Sequence, residues 1–230
     1  MMTVPADFLE ELRTADAAKR TLLEMEMEGL PWQEQARALL RPRSVVLFTG
    51  HRIDSPKRAE PRFPAEAEPL ARAAIAQAVS QLAPALCISG GANGGDILFQ
   101  EHCREAGIPT HMLLALPPEQ FIAASVGDWV ERFQRLLKQA PPAVLATSKT
   151  LPAWLAAKPG YDIWQRNNLW LIASALALNP GHFTLIALWD GQGGDGTGGT
   201  QHMVQVAQQH GARFIHLNTR QLFFTRSAKP

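Results

Sequence analysis

Five short apolar runs, separated by helical stretches, constrain this chain more than any other feature. Ser44–Thr49, Ala85–Ser89, Thr110–Leu116, Phe183–Trp189 and Arg213–Leu217 are each five to seven residues long. Continuous apolar runs of this length are expected of strands buried on both faces, as in a parallel sheet covered by helices. Glu66–Leu82, Asp96–Ala106, Tyr161–Leu178 and Thr200–His210 read as helices, and Gly107 is placed to end the second of these. Pro118–Leu137 also reads as helical, with a break near Gly127, whereas Pro141–Gly160 shows no clear period. Strands alternating with helices predict an α/β fold over residues 41–230: a Rossmann-like, doubly wound, mainly parallel sheet.

Residues 1–40 differ in character. Their Ala, Leu, Glu, Arg and Met content predicts a helical extension of two helices, the second starting at Pro31. Its expected role is packing, against the domain or a partner. Across the chain, 46% apolar and 19% charged residues describe a globular protein. A net charge of +1 speaks against a protein that binds by neutralising many nucleic-acid phosphates. Cys87 and Cys103 fall in an apolar strand and helix and read as buried, reduced thiols. No run reaches the length of a membrane span, and the acidic first residues do not form a secretory signal. A cytoplasmic protein with no membrane partner is expected.

Ligands of parallel sheets sit beyond the carboxyl ends of the strands, and three unusual loops leave strands there. Ser89-Gly90-Gly91-Ala92-Asn93-Gly94-Gly95-Asp96 joins a strand to a helix. Its glycines permit a close ligand approach, and the helix start favours an anion. On this reading a side chain at Gly94 would obstruct the ligand. The spacing is neither the dinucleotide fingerprint nor a P-loop, and a tight turn without ligand remains the alternative. Gly50, His51 and Arg52 end the first strand, with Arg58 and Arg62 following, and Arg52 can clamp a phosphate. The third loop, Asp190 to Thr200, has six glycines, with Gly198 and Gly199 before Thr200, which is expected to cap the next helix. Arg166 and Asn167 interrupt an otherwise apolar helix and need partners, either a ligand or loop carbonyls.

This order of motifs resembles the SLOG superfamily: Thr49-Gly50-His51-Arg52, Ser89 to Asp96, Arg166-Asn167, then Gly199-Thr200. That group includes the Lonely-guy phosphoribohydrolases, the DNA-processing protein A family and nucleotide-binding sensor domains of bacterial signalling and defence. The likeness spans roughly residues 44–218 and is strongest to sensor-type members. It implies a nucleotide or ADP-ribose-like ligand, no fixed cofactor, and a homo-oligomer or signalling partner. Hydrolase members carry a glutamate three residues after their Gly-Thr. Here Met203 stands in that place, or Thr200 if Gly196-Thr197 is the pair; neither register supplies a carboxylate, and a methionine cannot act as general base. The resemblance therefore implies a non-catalytic binding module. Two alternatives stand beside it: an N-glycosidase with a displaced carboxylate, Asp190 or Asp195, and a single-stranded DNA-binding protein, the latter disfavoured by charge.

Overall fold

A computed structural model describes residues 3–15, 17–40, 44–179, 182–193 and 199–224. Asp195, Gly196, Thr197 and Gly198 lie outside them. The chain divides into two compact units, Met1–Pro42 and Arg43–Pro230.

The first unit holds three helices, α1 (Ala6–Thr14), α2 (Ala17–Glu26) and α3 (Gln33–Leu40), where the sequence suggested two. The expected first helix ends early because Ala15 is extended, at φ −72° and ψ 127°. Leu12, Leu23, Met27, Ala36 and Leu40 form its core, with Phe8 set edge-on to Trp32 at 4.9 Å.

The second unit is a six-stranded parallel sheet in the order β4-β3-β2-β1-β5-β6. Its strands are β1 (Val45–Gly50), β2 (Leu86–Ser89), β3 (Thr110–Leu114), β4 (Ala143–Val144), β5 (Thr184–Trp189) and β6 (Arg213–Asn218). The helices are α4 (Glu68–Leu82), α5 (Gly95–Glu105), α6 (Pro118–Phe121), α7 (Val130–Gln139), α8 (Ala153–Ala156), α9 (Ile163–Leu178), α10 (Thr200–Gln209) and α11 (Thr219–Phe224). The expected Rossmann-like, doubly wound architecture is what the chain forms.

Alternation within the strands builds two cores. Val45 and Leu47 of β1, with Leu185 and Ala187 of β5, pack beneath α9 and α10. Val46, Phe48, Ile186 and Leu188 face the other way, toward α4 and α5. There Phe48 stacks on Phe99 at 4.5 Å, both fully buried. Cys87 and Cys103 meet in the same core as free, buried thiols, and their mutual hydrogen bond together with burial pushes the Cys87 thiol upward.

Departures from the expected elements have local causes. β4 is two exposed residues paired to Leu113 and Leu114, too short to leave an apolar run. The predicted break at Gly127 is real: this residue has φ +54° and follows a wide turn over Ile122–Val126. α11 closes the described chain, and its Phe223 stacks on Phe63 at 5.2 Å. Because Phe99 is enclosed by β1, α4 and α5, Phe99→Ala should cost about 3–5 kcal/mol. A lowered urea midpoint with an unchanged slope would record that loss.

Candidate functional site

β1 lies between β2 and β5, so the winding direction reverses beside it. Loops leaving its carboxyl edge on either side cross to opposite faces and part there. A cleft of about 810 Å³ opens at this point. Its walls come from the β1 loop (Thr49, Gly50, His51, Arg52, with Arg58 and Arg62), from the turn after β2, and from α9 and the start of α10.

Only part of the Gly-rich segment reaches the cleft. Gly90, Ala92 and Asp96 line it. Ser89 is fully buried, accepting from Gln100 Nε2 at 2.9 Å and donating to the Gly90 carbonyl. A Cβ on Gly91 would meet Phe133 at 2.8 Å, so that glycine serves core packing. The backbone N–H groups of Ala92, Asn93 and Gly95 already donate within the protein, to Asp96, Ser125 and His51 respectively. This leaves less of an amide cradle than the sequence suggested. Gly94 has φ +88°, and a Cβ there would lie 2.6 Å from the Ile53 nitrogen and 2.7 Å from the His51 carbonyl oxygen. A side chain at 94 would therefore strike the β1 loop. Gly94→Ala should cost several kcal/mol, about 2–4, from the left-handed backbone and the displaced loop; a fall in melting temperature without ligand would show it.

The β1 loop is held in turn by polar contacts. His51 is nearly buried, with Nε2 3.1 Å from both the backbone nitrogen and Oδ1 of Asp190. Burial lowers the His51 pKa more than Asp190 raises it, so the neutral ring accepts the Asp190 N–H. Asp190 also accepts from the Gln192 N–H at 3.0 Å and does not line the cleft. Arg52 donates through Nε to Asn93 at 2.9 Å and through Nη1 to the Ala124 carbonyl at 3.2 Å. Asn93 therefore positions Arg52 instead of lining the cleft.

Other carboxylates bordering the cleft have defined tasks. Asp54 accepts the N–H groups of Arg62 and Phe63, both at 2.7 Å. Asp162 caps α9 by accepting from Trp164 and Gln165, with Gln165 completing a capping box. Among the described residues Asp96 accepts one weak bond, from the Ala92 N–H at 3.3 Å, and burial pushes its pKa up to about 7 despite that bond and nearby Arg52.

α9 turns Trp164, Asn167, Asn168 and Leu171 toward the cleft, whereas Arg166 does not line it. Asn167 is 6% exposed, and its Oδ1 has no hydrogen-bond partner among the described residues. An unpaired buried acceptor costs about 1–3 kcal/mol. The residue capping α10 is Gly199, not Thr200 as expected; Thr200 is the first helical residue, and among the described residues no side chain caps this helix. Gly199, Thr200 and Met203 border the cleft, so its α10 wall presents a thioether. Phe121, Ser125 and Lys149 line the cleft too, and of these Lys149 comes from a segment in which sequence alone singled out nothing. Among the described residues no three His, Cys, Asp or Glu side chains gather as a metal site, and no helix is long and apolar enough to cross a membrane.

The fold and cleft define a Rossmann-like α/β protein with a polar site at its switch point. No family model and no curated protein matches the sequence.

Asp96 supplies a pH test. Its folded pKa near 7 exceeds the ordinary carboxylate value, so between about pH 4 and 7 the folded protein keeps a proton that the unfolded chain releases. The stability this contributes is complete at low pH and is lost as pH rises through 7. Asp96→Asn should thus melt above the wild type at pH 8, with the difference shrinking toward pH 5.

Proposed function

We propose that this cleft binds a nucleotide or a nucleotide-derived ligand, such as an ADP-ribose-like molecule, and does not cleave it. The observation that carries the reading is the cleft itself, a cavity of about 810 Å³ at the switch point whose lining combines Arg52, Arg58, Arg62 and Lys149 with the rings of Phe121 and Trp164. Arg52, Arg58, Arg62 and Lys149 provide the charge to hold phosphate, and the start of α10, which no side chain caps among the described residues, adds backbone donors. Trp164, Phe121 and Met203 offer apolar surface of the kind a base stacks on. Met203 in place of a carboxylate supports binding without turnover. The likeness in motif order to SLOG sensor domains supports a role in bacterial signalling or defence, with a second copy or a signalling protein as partner.

A second reading, cleavage of an N-glycosidic bond, is favoured by one observation. Asp96 borders the cleft with a pKa near 7, suited to a general acid, whereas Asp190 does not face it. Incubation with nucleoside monophosphates, NAD and ADP-ribose separates the two. Binding alone predicts a raised melting temperature and no free base by chromatography, with Arg52→Ala weakening affinity about tenfold or more. Release of base, abolished by Asp96→Asn, would establish the second reading instead. If none of these compounds shifts the melt, the nucleotide assignment fails.

A further inference from the structure

Asn167 is a polar side chain placed where the protein gives it too little to do. It sits in the second turn of α9, 6% exposed, and lines the cleft with its Oδ1 unpaired among the described residues. Buried amides without partners are rare in native proteins, and one that faces a cleft is explained by a partner that arrives from outside. Its neighbours on the same face narrow the chemistry of that partner. Trp164 lies one turn before it and Leu171 one turn after, and both border the cleft. Met203 of α10 and Phe121 add further apolar wall. The cationic side chains Arg52, Arg58 and Arg62 come instead from the loop after β1.

A phosphate is opposed by Asp162 at the start of α9, and Trp164, Leu171, Phe121 and Met203 give sugar hydroxyls little to bond, which leaves Asn167 and Asn168 as the polar groups along this wall. A flat heterocycle with a donor beside an acceptor on one edge fits it. Its faces suit the aromatic and sulfur surfaces, and its edge suits a carboxamide, which pairs with both groups at once. A half-turn of the amide exchanges Oδ1 and Nδ2, so either polarity of edge can be met.

Resting on the nucleotide reading above, we infer that α9 is the base-recognition wall of the cleft and that Asn167 is its specificity-determining residue, pairing with the edge of the nucleobase.

The test measures binding of AMP, GMP, CMP, UMP and ribose 5-phosphate by calorimetry to the wild type and to Asn167→Leu and Asn167→Ala. At least one nucleotide should bind the wild type more tightly than ribose 5-phosphate. Asn167→Leu should lower that nucleotide's affinity about tenfold or more, to the level of ribose 5-phosphate, and leave ribose 5-phosphate itself unchanged. Its melting temperature without ligand should hold or rise, because leucine removes an unpaired buried polar group. If the leucine variant does not fold, Asn167→Ala carries the same expectation. The inference is overturned if either folded variant keeps full nucleotide affinity. It is equally overturned if the base adds nothing over ribose 5-phosphate, or if both variants lose ribose 5-phosphate in the same proportion. Absence of binding by all five probes and by ADP-ribose removes the nucleotide reading as well, whereas base-independent binding removes the Asn167 assignment alone.

Discussion

Where β1 runs out and α5 begins, two backbones touch. A Cβ on Gly50 would lie 3.2 Å from the Gly95 α-carbon, and one on Gly95 would lie 3.0 Å from that of Gly50. The Gly95 N–H donates to the His51 carbonyl at 3.0 Å across this contact. The contact fixes the direction in which the chain leaves β1 and therefore where Arg52 stands. Arg52 is then locked by Asn93 from the turn after β2 and by the carbonyl of Ala124 after α6. On the other flank His51 holds Asp190 at the end of β5. Three loops are thus fastened to one another at their bases, and the cleft above them takes its shape from that junction. Removing the glycines would separate the loops before it affected any ligand.

The architecture was readable because burial on both faces leaves a plain mark. Val45 to Phe48 and Leu185 to Trp189 are buried at every position, so they appear as continuous apolar runs. β4 left no such mark, since Ala143 and Val144 are exposed and owe their strand conformation to pairing with β3. The split of the first helical segment at Ala15 was hidden because residues on both sides favour helix, and propensity alone does not locate an interruption.

For the site, position was more legible than role. Glycine-rich turns at strand ends pointed to the edge of the sheet where the cleft opens, but glycine records a close approach without naming what approaches. At Gly94 it is the Ile53 backbone, at Gly90 the Asp96 carboxyl, and at Gly91 the ring of Phe133. The sequence could place Asn167 on a helix but could not show its amide unpaired, because that depends on which loops fold over α9. Lys149 comes from a segment with no motif, and it joins the cleft only through tertiary packing.

The strand order also sets the time at which the cleft can exist. β1 pairs with β5 along Val46 to Gly50, yet β2, β3, β4 and their helices lie between them in the chain. The cleft walls run from Phe48 to Met203. During synthesis the arginines and the glycine-rich turn emerge early, while the wall that faces them is made near the end. A chain interrupted before α9 would own most of the polar groups and lack the α9 and α10 walls that face them. The complete cleft then arrives late, at the closure of the longest loop in the sheet, instead of growing with the length of the nascent protein.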